Sequence, residues 1–366
     1  MNDLFCVIMA GGIGSRFWPL SKTSRPKQFI DILGTGETLI QQTFRRLNKI
    51  CPAENFIVVT NLDYKEIVLE QLPMLKEEQV LSEPMRRNTA PCIAYACHKI
   101  KRKNENANII VAPSDHLITK EDEFINQLKK GISFVGKNDA LLTLGITPHR
   151  PETGYGYIQI SDKFNTEDLD NDKGNLFKVK TFTEKPDLKM AKVFVDSGEF
   201  VWNSGIFIWS LKSILNAFDK FLPEVNELFM KGTKYYYTRE EKAFLSKAYS
   251  ECPNISIDYG VMEKAKNVFV LCADFGWSDL GTWGSLWDNS DKDNAGNAIK
   301  GKNIKLYDTK NCIVNMGDDK LVVVQGLDGY IVVESDNTIL ICRKEDEQQI
   351  RQFVNDVKIA KGDKFV

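Results

Sequence analysis

Histidine is scarce. His98, His116 and His149 are the only three in 366 residues, and no nucleophile, base and orienter set can be assembled around them. Paired cysteines are also lacking. The eight cysteines (Cys6, Cys51, Cys92, Cys97, Cys252, Cys272, Cys312 and Cys342) include no Cys-x-x-Cys, and several sit in apolar strand-like runs where a thiol packs as a small hydrophobe. Their pattern argues against a zinc site and against a disulfide scaffold. A surplus of one charge is missing too, with 48 Lys plus Arg against 50 Asp plus Glu and a formal net charge of −2. Neither nucleic acid nor an anionic membrane is therefore an expected partner, and any handling of phosphate must be local. The longest apolar run near the start, Leu4–Ala10, covers seven residues with no basic region before it. It is too short for a membrane span and wrongly flanked for a secretory signal, so a soluble, cytoplasmic protein is expected. Low-complexity tracts and a convincing long repeat are absent. What is present is apolar material for a large core: 43% of the residues are hydrophobic and 27% charged, which suits one large domain with an appendage, or two domains.

The first 150 residues alternate strand-like runs (Leu4–Ala10, 56–60, 80–81, 109–112, Leu141–Ile146) with helical patterns. Leu39, Ile40, Phe44 and Leu47 share one helical face, and Asn88-Thr89-Ala90-Pro91 reads as a cap with proline in the first turn of a helix through Ile100. Such alternation signals an α/β fold, a Rossmann-like, mixed but mainly parallel sheet with helices on both faces. Ligands then bind beyond the carboxyl ends of strands. From 154 to about 288 the pattern is mixed, with strands at 155–160, 179–182, 205–209 and Val268–Cys272 completing the same domain. The Asp- and Asn-rich stretch 161–174 reads as a mobile surface loop. After about 294 short strands recur (Ile304–Tyr307, Ile313–Asn315, 321–325, 330–334, 338–342), closed by a helix over 345–357. This predicts a catalytic domain over 1–290 and a small all-β domain with a terminal helix over 291–366.

The first strand runs into Gly11-Gly12-Ile13-Gly14-Ser15-Arg16, followed by Arg25-Pro26-Lys27-Gln28-Phe29. Clustered glycines let backbone N–H groups approach a polyphosphate, and Arg16 and Lys27 would neutralise it; a tight turn with a solvated basic pair is the plain alternative. Arg16 stands where the dinucleotide fingerprint needs glycine or alanine, and no Gly-Lys-Ser/Thr follows. A second glycine pattern, Gly131 to Lys137, has P-loop spacing, but Asn138 replaces the metal-binding hydroxyl and the segment follows a helix, so it is set aside.

The segment from Ala10 to Phe29 resembles the signature of the sugar-1-phosphate nucleotidyltransferases, most closely their single-function mannose-1-phosphate guanylyltransferase branch. Further matches follow in the family's order: Glu83-Pro84 to Asn88-Thr89-Ala90-Pro91, Pro113-Ser114-Asp115-His116, Gly154-Tyr155-Gly156-Tyr157, Phe182-Thr183-Glu184-Lys185-Pro186, Trp202-Asn203-Ser204-Gly205 and Trp277-Ser278-Asp279-Leu280-Gly281. The resemblance implies attack of the phosphate of mannose 1-phosphate on the α-phosphorus of GTP, giving GDP-mannose and pyrophosphate. A phosphate monoester is largely ionised at neutral pH, so no general base is needed. The needs are positioning and charge neutralisation, which Mg2+ on carboxylates supplies.

By the same resemblance Asp115 and Asp279 would hold the metal, although either alone could be a turn residue. Arg16 and Lys27 would hold phosphates and, with the two aspartates, form the catalytic set. Gly11, Gly12, Gly14, Arg16, Asn88, Thr89 and Ser114 would surround the nucleotide, with Asn88 also free to cap its helix. Gly154, Tyr155, Glu184, Lys185 and Asn203 would take the sugar phosphate, the alternative for Glu184 and Lys185 being an ordinary exposed pair. Trp18, Trp202 and Trp283 are read as buried packing before stacking platforms. Relatives that also isomerise mannose phosphates carry a further metal-binding domain with histidines. With no histidine after His149 and a short tail, isomerase activity is not expected. The tail resembles the short β-helical appendage of single-function members, for which a homodimer is one option. Two alternatives stand beside this reading: another sugar 1-phosphate or nucleotide as substrate, and a non-catalytic nucleotide-sugar sensor.

Overall fold

A computed structural model describes residues 3–163 and 175–366, so the stretch read as a mobile loop falls, apart from its first three residues, outside the described residues. The chain forms two compact units that interleave along the sequence. One takes in the chain up to Gly11, Thr43–Ser114 and Ile118–Trp277; the other takes in Gly12–Gln42, Asp115–Leu117 and Ser278–Val366.

The first unit is built on nine strands: Leu4–Ala10 (β1), Phe56–Asn61 (β2), Val80–Glu83 (β3), Asn108–Pro113 (β4), Leu141–Ile146 (β5), Tyr157–Lys163 (β6), Leu176–Thr183 (β7), Phe200–Ser210 (β8) and Val268–Cys272 (β9). They pair in the order β3-β2-β1-β4-β8-β5-β9-β7-β6. The pairs β1–β2, β1–β4, β2–β3 and β5–β9 are parallel, and β8 runs antiparallel to both β4 and β5. This is the mixed sheet expected from the sequence. Continuous apolar strands mark burial on both faces, and in β1 every residue but Met9 is buried.

Alternation along the strands shows what covers each face. Phe5, Val7, Ile109, Val111, Phe207 and Trp209 join the core made with the helix Thr89–Lys101. On the other face, Ile208 and Leu142 meet Gly131 of the helix Glu121–Lys137, whose absent Cβ would lie 2.5 Å from Ile208 Cδ1 and 2.9 Å from Leu142 Cδ2. The glycine with P-loop spacing thus serves close helix–sheet packing, within a helix. His98 is likewise structural: it is buried against the Asn226 side chain at 2.9 Å, and burial lowers its pKa.

Several strands differ in extent from the sequence expectation. β3 continues to Glu83, and β8 begins at Phe200, five residues earlier than expected. β6 begins at Tyr157 because Tyr155 turns inward to pack edge-on against Trp202 and Trp277, each at 5.1 Å between ring centroids.

The second unit holds the C-terminal strands Ala298–Lys300 (β10), Ile304–Tyr307 (β11), Ile313–Asn315 (β12), Val322–Gln325 (β13), Tyr330–Ser335 (β14) and Thr338–Arg343 (β15). β10, β12 and β14 stack in parallel, as do β11 and β13, and β15 closes the first stack antiparallel. Successive coils are offset by 15 residues from Ala298 to Ile313 and by 18 from Ile313 to Ile331. The tail is therefore a short β-helix, as its resemblance implied, and its unequal coils leave no long repeat in the sequence. The reason is that only three or four residues per turn pair, too few to leave a visible period. The three-residue strand β10 is an addition to the expected set. Inside lie Cys312, Val314, Met316, Val324 and Val332. A second core joins this tail to the N-terminal loop: Phe17, Trp18, Ile32 and Leu39 pack with Leu280, Trp283, Ile313, Ile331 and Ile350.

Replacing Gly131 with valine would drive a branched side chain into Ile208 and Leu142. The expected cost is about 1–3 kcal/mol of stability, read from the urea midpoint of the Gly131→Val variant against wild type.

Candidate active site

The glycine-rich loop owes its shape to a lysine. Gly14 adopts φ 65° and sits so close to Lys27 that a Cβ there would lie 2.6 Å from the lysine Cβ; only glycine combines that conformation with that approach. The Ser21 hydroxyl donates to the Ile13 carbonyl at 2.9 Å and the Gln28 amide to the Gly12 carbonyl at 2.9 Å, pinning the loop from behind. Phe17 is fully buried against Trp283, 5.1 Å between ring centroids.

Lys27 itself is 4% exposed. Its ammonium donates to the Asp279 carbonyl at 2.8 Å and the Leu280 carbonyl at 2.9 Å, and pairs with Asp115 Oδ2 at 2.9 Å. Three donors meet three acceptors, so the group is saturated by the protein. Burial works to raise the Asp115 pKa, but Lys27 and then His116 outweigh it and hold the carboxyl below its ordinary 3.8. Asp115 is ionised at neutral pH. The Asp279 carboxylate accepts the Gly281 N–H at 2.8 Å, and Arg16 Nη1 donates to the Gly281 carbonyl at 3.4 Å. Gly14, Arg16, Lys27, Asp115, His116 and Asp279 line one cavity of about 360 Å³. The four residues expected to be catalytic are thus brought together, with Lys27 facing the protein instead of projecting as a bare phosphate ligand.

The first unit carries the other expected residues except Gly12, which belongs to the second. Gly11 lies beside Glu83, and a Cβ on Gly11 would be 3.8 Å from Glu83 Oε2. Burial pushes the Glu83 carboxyl up to about 7, and the Tyr249 hydroxyl donating to Oε1 at 2.9 Å works against this. The motif containing Glu83 assigns it no role; the signal that marks it is its place at the carboxyl end of β3. Asn88 caps its helix, accepting from the Thr89 N–H at 2.9 Å. The Thr89 hydroxyl accepts the Ile257 N–H at 2.9 Å. Ser114 is buried, its N–H on the Met9 carbonyl at 3.0 Å and its own carbonyl accepting from Thr43.

Around Asn203 a polar cluster gathers. Its amide donates to Asp258 Oδ1 at 2.8 Å and its oxygen accepts the Gly205 N–H at 3.0 Å. Glu184 approaches Gly156, where a Cβ would lie 2.9 Å from Glu184 Oε2, and pairs with Lys185 at 2.6 Å. Burial raises the Asp258 pKa, opposed by the Asn203 hydrogen bond. The Gly154 N–H is taken by Glu152 Oε1 at 3.1 Å. Asp258 joins the cluster without a sequence signal, because nothing in its local sequence sets it apart. Trp18, Trp202 and Trp283 are all buried, as expected of packing residues.

A larger cavity of about 640 Å³ lies elsewhere in the first unit, between Lys65, Glu77, Tyr95, Lys99 and Glu241. It contains none of the expected site residues, and Lys99 there is paired with Glu241 at 2.7 Å. The smaller cavity is the better candidate because the chemistry-bearing residues converge on it. Among the described residues there is no cluster of three or more metal-ligating side chains, and no helix is long and apolar enough to cross a membrane.

Replacing Lys27 with methionine would leave Asp115 in place without its cation, at an expected cost of about 2–4 kcal/mol at neutral pH. Because the folded Asp115 pKa lies below 3.8, the stabilisation is complete above that value and is lost as pH falls through the folded pKa. Urea unfolding curves of wild type and Lys27→Met should differ at pH 7 and converge in acid.

The family model described as nucleotidyl transferase matches residues 5–296, and that described as MannoseP isomerase/GMP-like beta-helix domain matches residues 301–357. A mannose-1-phosphate guanylyltransferase of Escherichia coli is 34% identical over 364 residues, covering 98% of this chain and 76% of that protein. The alginate biosynthesis protein AlgA of Pseudomonas syringae pv. tomato is 38% identical over 353 residues, 95% of this chain and 70% of that one. A crystal structure of mannose-1-phosphate geranyltransferase from Thermus thermophilus superposes with a TM-score of 0.85 at 28% identity, covering 97% of this chain and 99% of that one. With its ordered motifs, its mixed sheet and its short β-helix, this chain belongs to the nucleotidyl transferase family.

Proposed function

We propose that the protein transfers GMP from GTP to mannose 1-phosphate, giving GDP-mannose and pyrophosphate. The observation that carries this is the cavity in which a saturated lysine holds Asp115 ionised beside Asp279 and Arg16. The sugar phosphate arrives as its own nucleophile, already deprotonated. The protein must therefore align two anions and offset their charge.

Members of the family generally use a divalent metal, and we assign Mg2+ here. Two carboxylates fit that ion, which keeps several waters and needs only one or two protein ligands. Asp115 and Asp279 would hold it, the first carboxylate oriented by Lys27 and the second by the Gly281 N–H. When bound, the ion supplies charge neutralisation on the phosphates. Arg16 and the Gly12 to Gly14 backbone would bind the phosphates of the nucleotide, with Lys27 as the residue that positions Asp115. Gly11, Asn88, Thr89 and Ser114 border the nucleoside, while Gly154, Tyr155, Glu184, Lys185 and Asn203 take the sugar phosphate. Asp258 orients the Asn203 amide.

Guanine offers N1–H and N2–H donors on one edge, and an ionised carboxylate accepts both; we assign that role to Glu83, and its approach to Gly11 supports the reading. The linear division into a catalytic domain, 1–290, and a β-rich domain, 291–366, is part of this reading, as are a cytoplasmic location and a homodimer. Exposed Val323, Ile339 and Ile341 on the β-helix strands support the homodimer.

The test is pyrophosphate release with each nucleoside triphosphate against mannose, glucose and fucose 1-phosphates. GTP with mannose 1-phosphate should be the best pair, and Asp115→Asn or Asp279→Asn should lower its turnover by at least about 100-fold. Silence across the matrix would make the chain a binder instead. Since Glu83 titrates at about 7, wild-type affinity for GTP should fall as pH drops through that value. The Glu83→Gln variant should lose both this pH dependence and about 10- to 100-fold in GTP affinity.

A further inference from the structure

Of the two cations that the sequence points to, Lys27 is spent on the protein and Arg16 in part. Lys27 gives its donors to Asp115 and to the Asp279 and Leu280 carbonyls, and Arg16 gives Nη1 to the Gly281 carbonyl. Arg16 and Lys27 are also offset by Asp115 and Asp279 on the same cavity wall. A triphosphate entering this space brings more negative charge than the four groups leave uncompensated.

One further cation reaches the cavity, from far along the chain. Arg351 lines it together with Arg16, Asp115 and Asp279. Its side chain is exposed and, among the described residues, makes no hydrogen bond or ion pair. Its backbone is nevertheless fixed. The neighbouring Ile350 is fully buried in the core that contains Phe17 and Trp283, and Phe353, Val354 and Val357 of the helix Ile350–Lys361 pack against the same core. Upstream, Glu347 accepts the Gly284 N–H at 2.6 Å; downstream, the Trp18 indole donates to the Phe365 carbonyl at 2.7 Å. The terminal helix is thus tied on both sides of Arg351 to the segments that carry Arg16 and Asp279. A guanidinium with uncommitted donors on a fixed backbone is suited to bidentate binding of phosphate oxygens.

We propose that Arg351 binds the β- and γ-phosphates of the nucleotide and the pyrophosphate that they become, so that the β-helical tail completes the phosphate site. The proposal rests on the reading of this cavity as the triphosphate seat. It gives the tail a part in substrate binding that its β-helix alone would not have.

The test uses the full chain, with Arg351→Ala and Arg351→Lys compared with wild type. Calorimetric titration with inorganic pyrophosphate and Mg2+ should show affinity weakened on the order of 10- to 100-fold in Arg351→Ala and by less in Arg351→Lys. In kinetics, the KM for GTP, and for pyrophosphate in the reverse direction, should rise by a similar factor. The KM values for mannose 1-phosphate and GDP-mannose should stay within about threefold, and the melting temperature should not move, as befits an exposed side chain without partners. Equal pyrophosphate affinity in wild type and Arg351→Ala would overturn the proposal. So would a loss spread evenly over all substrates and accompanied by a lower melting temperature. If wild type turned over no pair in the substrate matrix yet bound pyrophosphate through Arg351, the proposed reaction would fail while the phosphate seat stood.

Discussion

The buried Lys27 ammonium, with its carbonyl and carboxylate acceptors, organises the cavity of the second unit. Taking an ammonium out of water costs several kcal/mol unless each N–H is satisfied and a counter-charge is near. Here both conditions are met, and meeting them draws three separated stretches of chain to one point: the glycine-rich loop, the Asp115 turn and the Asp279 loop. Asp115 remains ionised for the same reason. Gly14 follows from the same constraint, since a side chain there would occupy the space of the lysine stem.

Around this point the second unit is closed by aromatic packing. Phe17 and Trp283 make the centre of a core to which the N-terminal loop, the β-helix and the terminal helix all contribute. Residues separated by more than 300 positions therefore share one rigid surround, and a basic side chain on the last helix acquires a defined place beside a loop at the start of the chain. The first unit carries a different set of groups. Gly11 follows β1 and Glu83 ends β3, on either side of β2, and the later part of the unit builds the polar cluster of Glu184, Asn203 and Asp258.

Much of this architecture is legible in the order of the residues. Strand-like runs such as Leu4–Ala10 and Leu141–Ile146 declare themselves because both sheet faces are buried, so their composition is apolar throughout. The cap at Asn88 is legible because an N-cap is a local hydrogen bond between neighbours. Asp115 and Asp279 can be named because ordered motifs surround them. The β-helix coil leaves no such trace because so few residues per turn pair. Glu83 gains its Tyr249 partner, and Asp258 its Asn203 partner, from chain segments 166 and 55 residues away, and no local pattern announces such contacts.

The amino-acid sequence by itself determined the α/β class, the order of the motifs and the identity of the charged groups, because these depend on periodicity and on residue type within short windows. Only the tertiary structure decided what each charge does. It turned Lys27 inward and left Arg351 at the cavity, and it set Glu83 near neutrality while keeping Asp115 ionised. The physical reason is that desolvation and pairing depend on which atoms lie within a few ångströms, and that proximity arises from packing between distant parts of the chain.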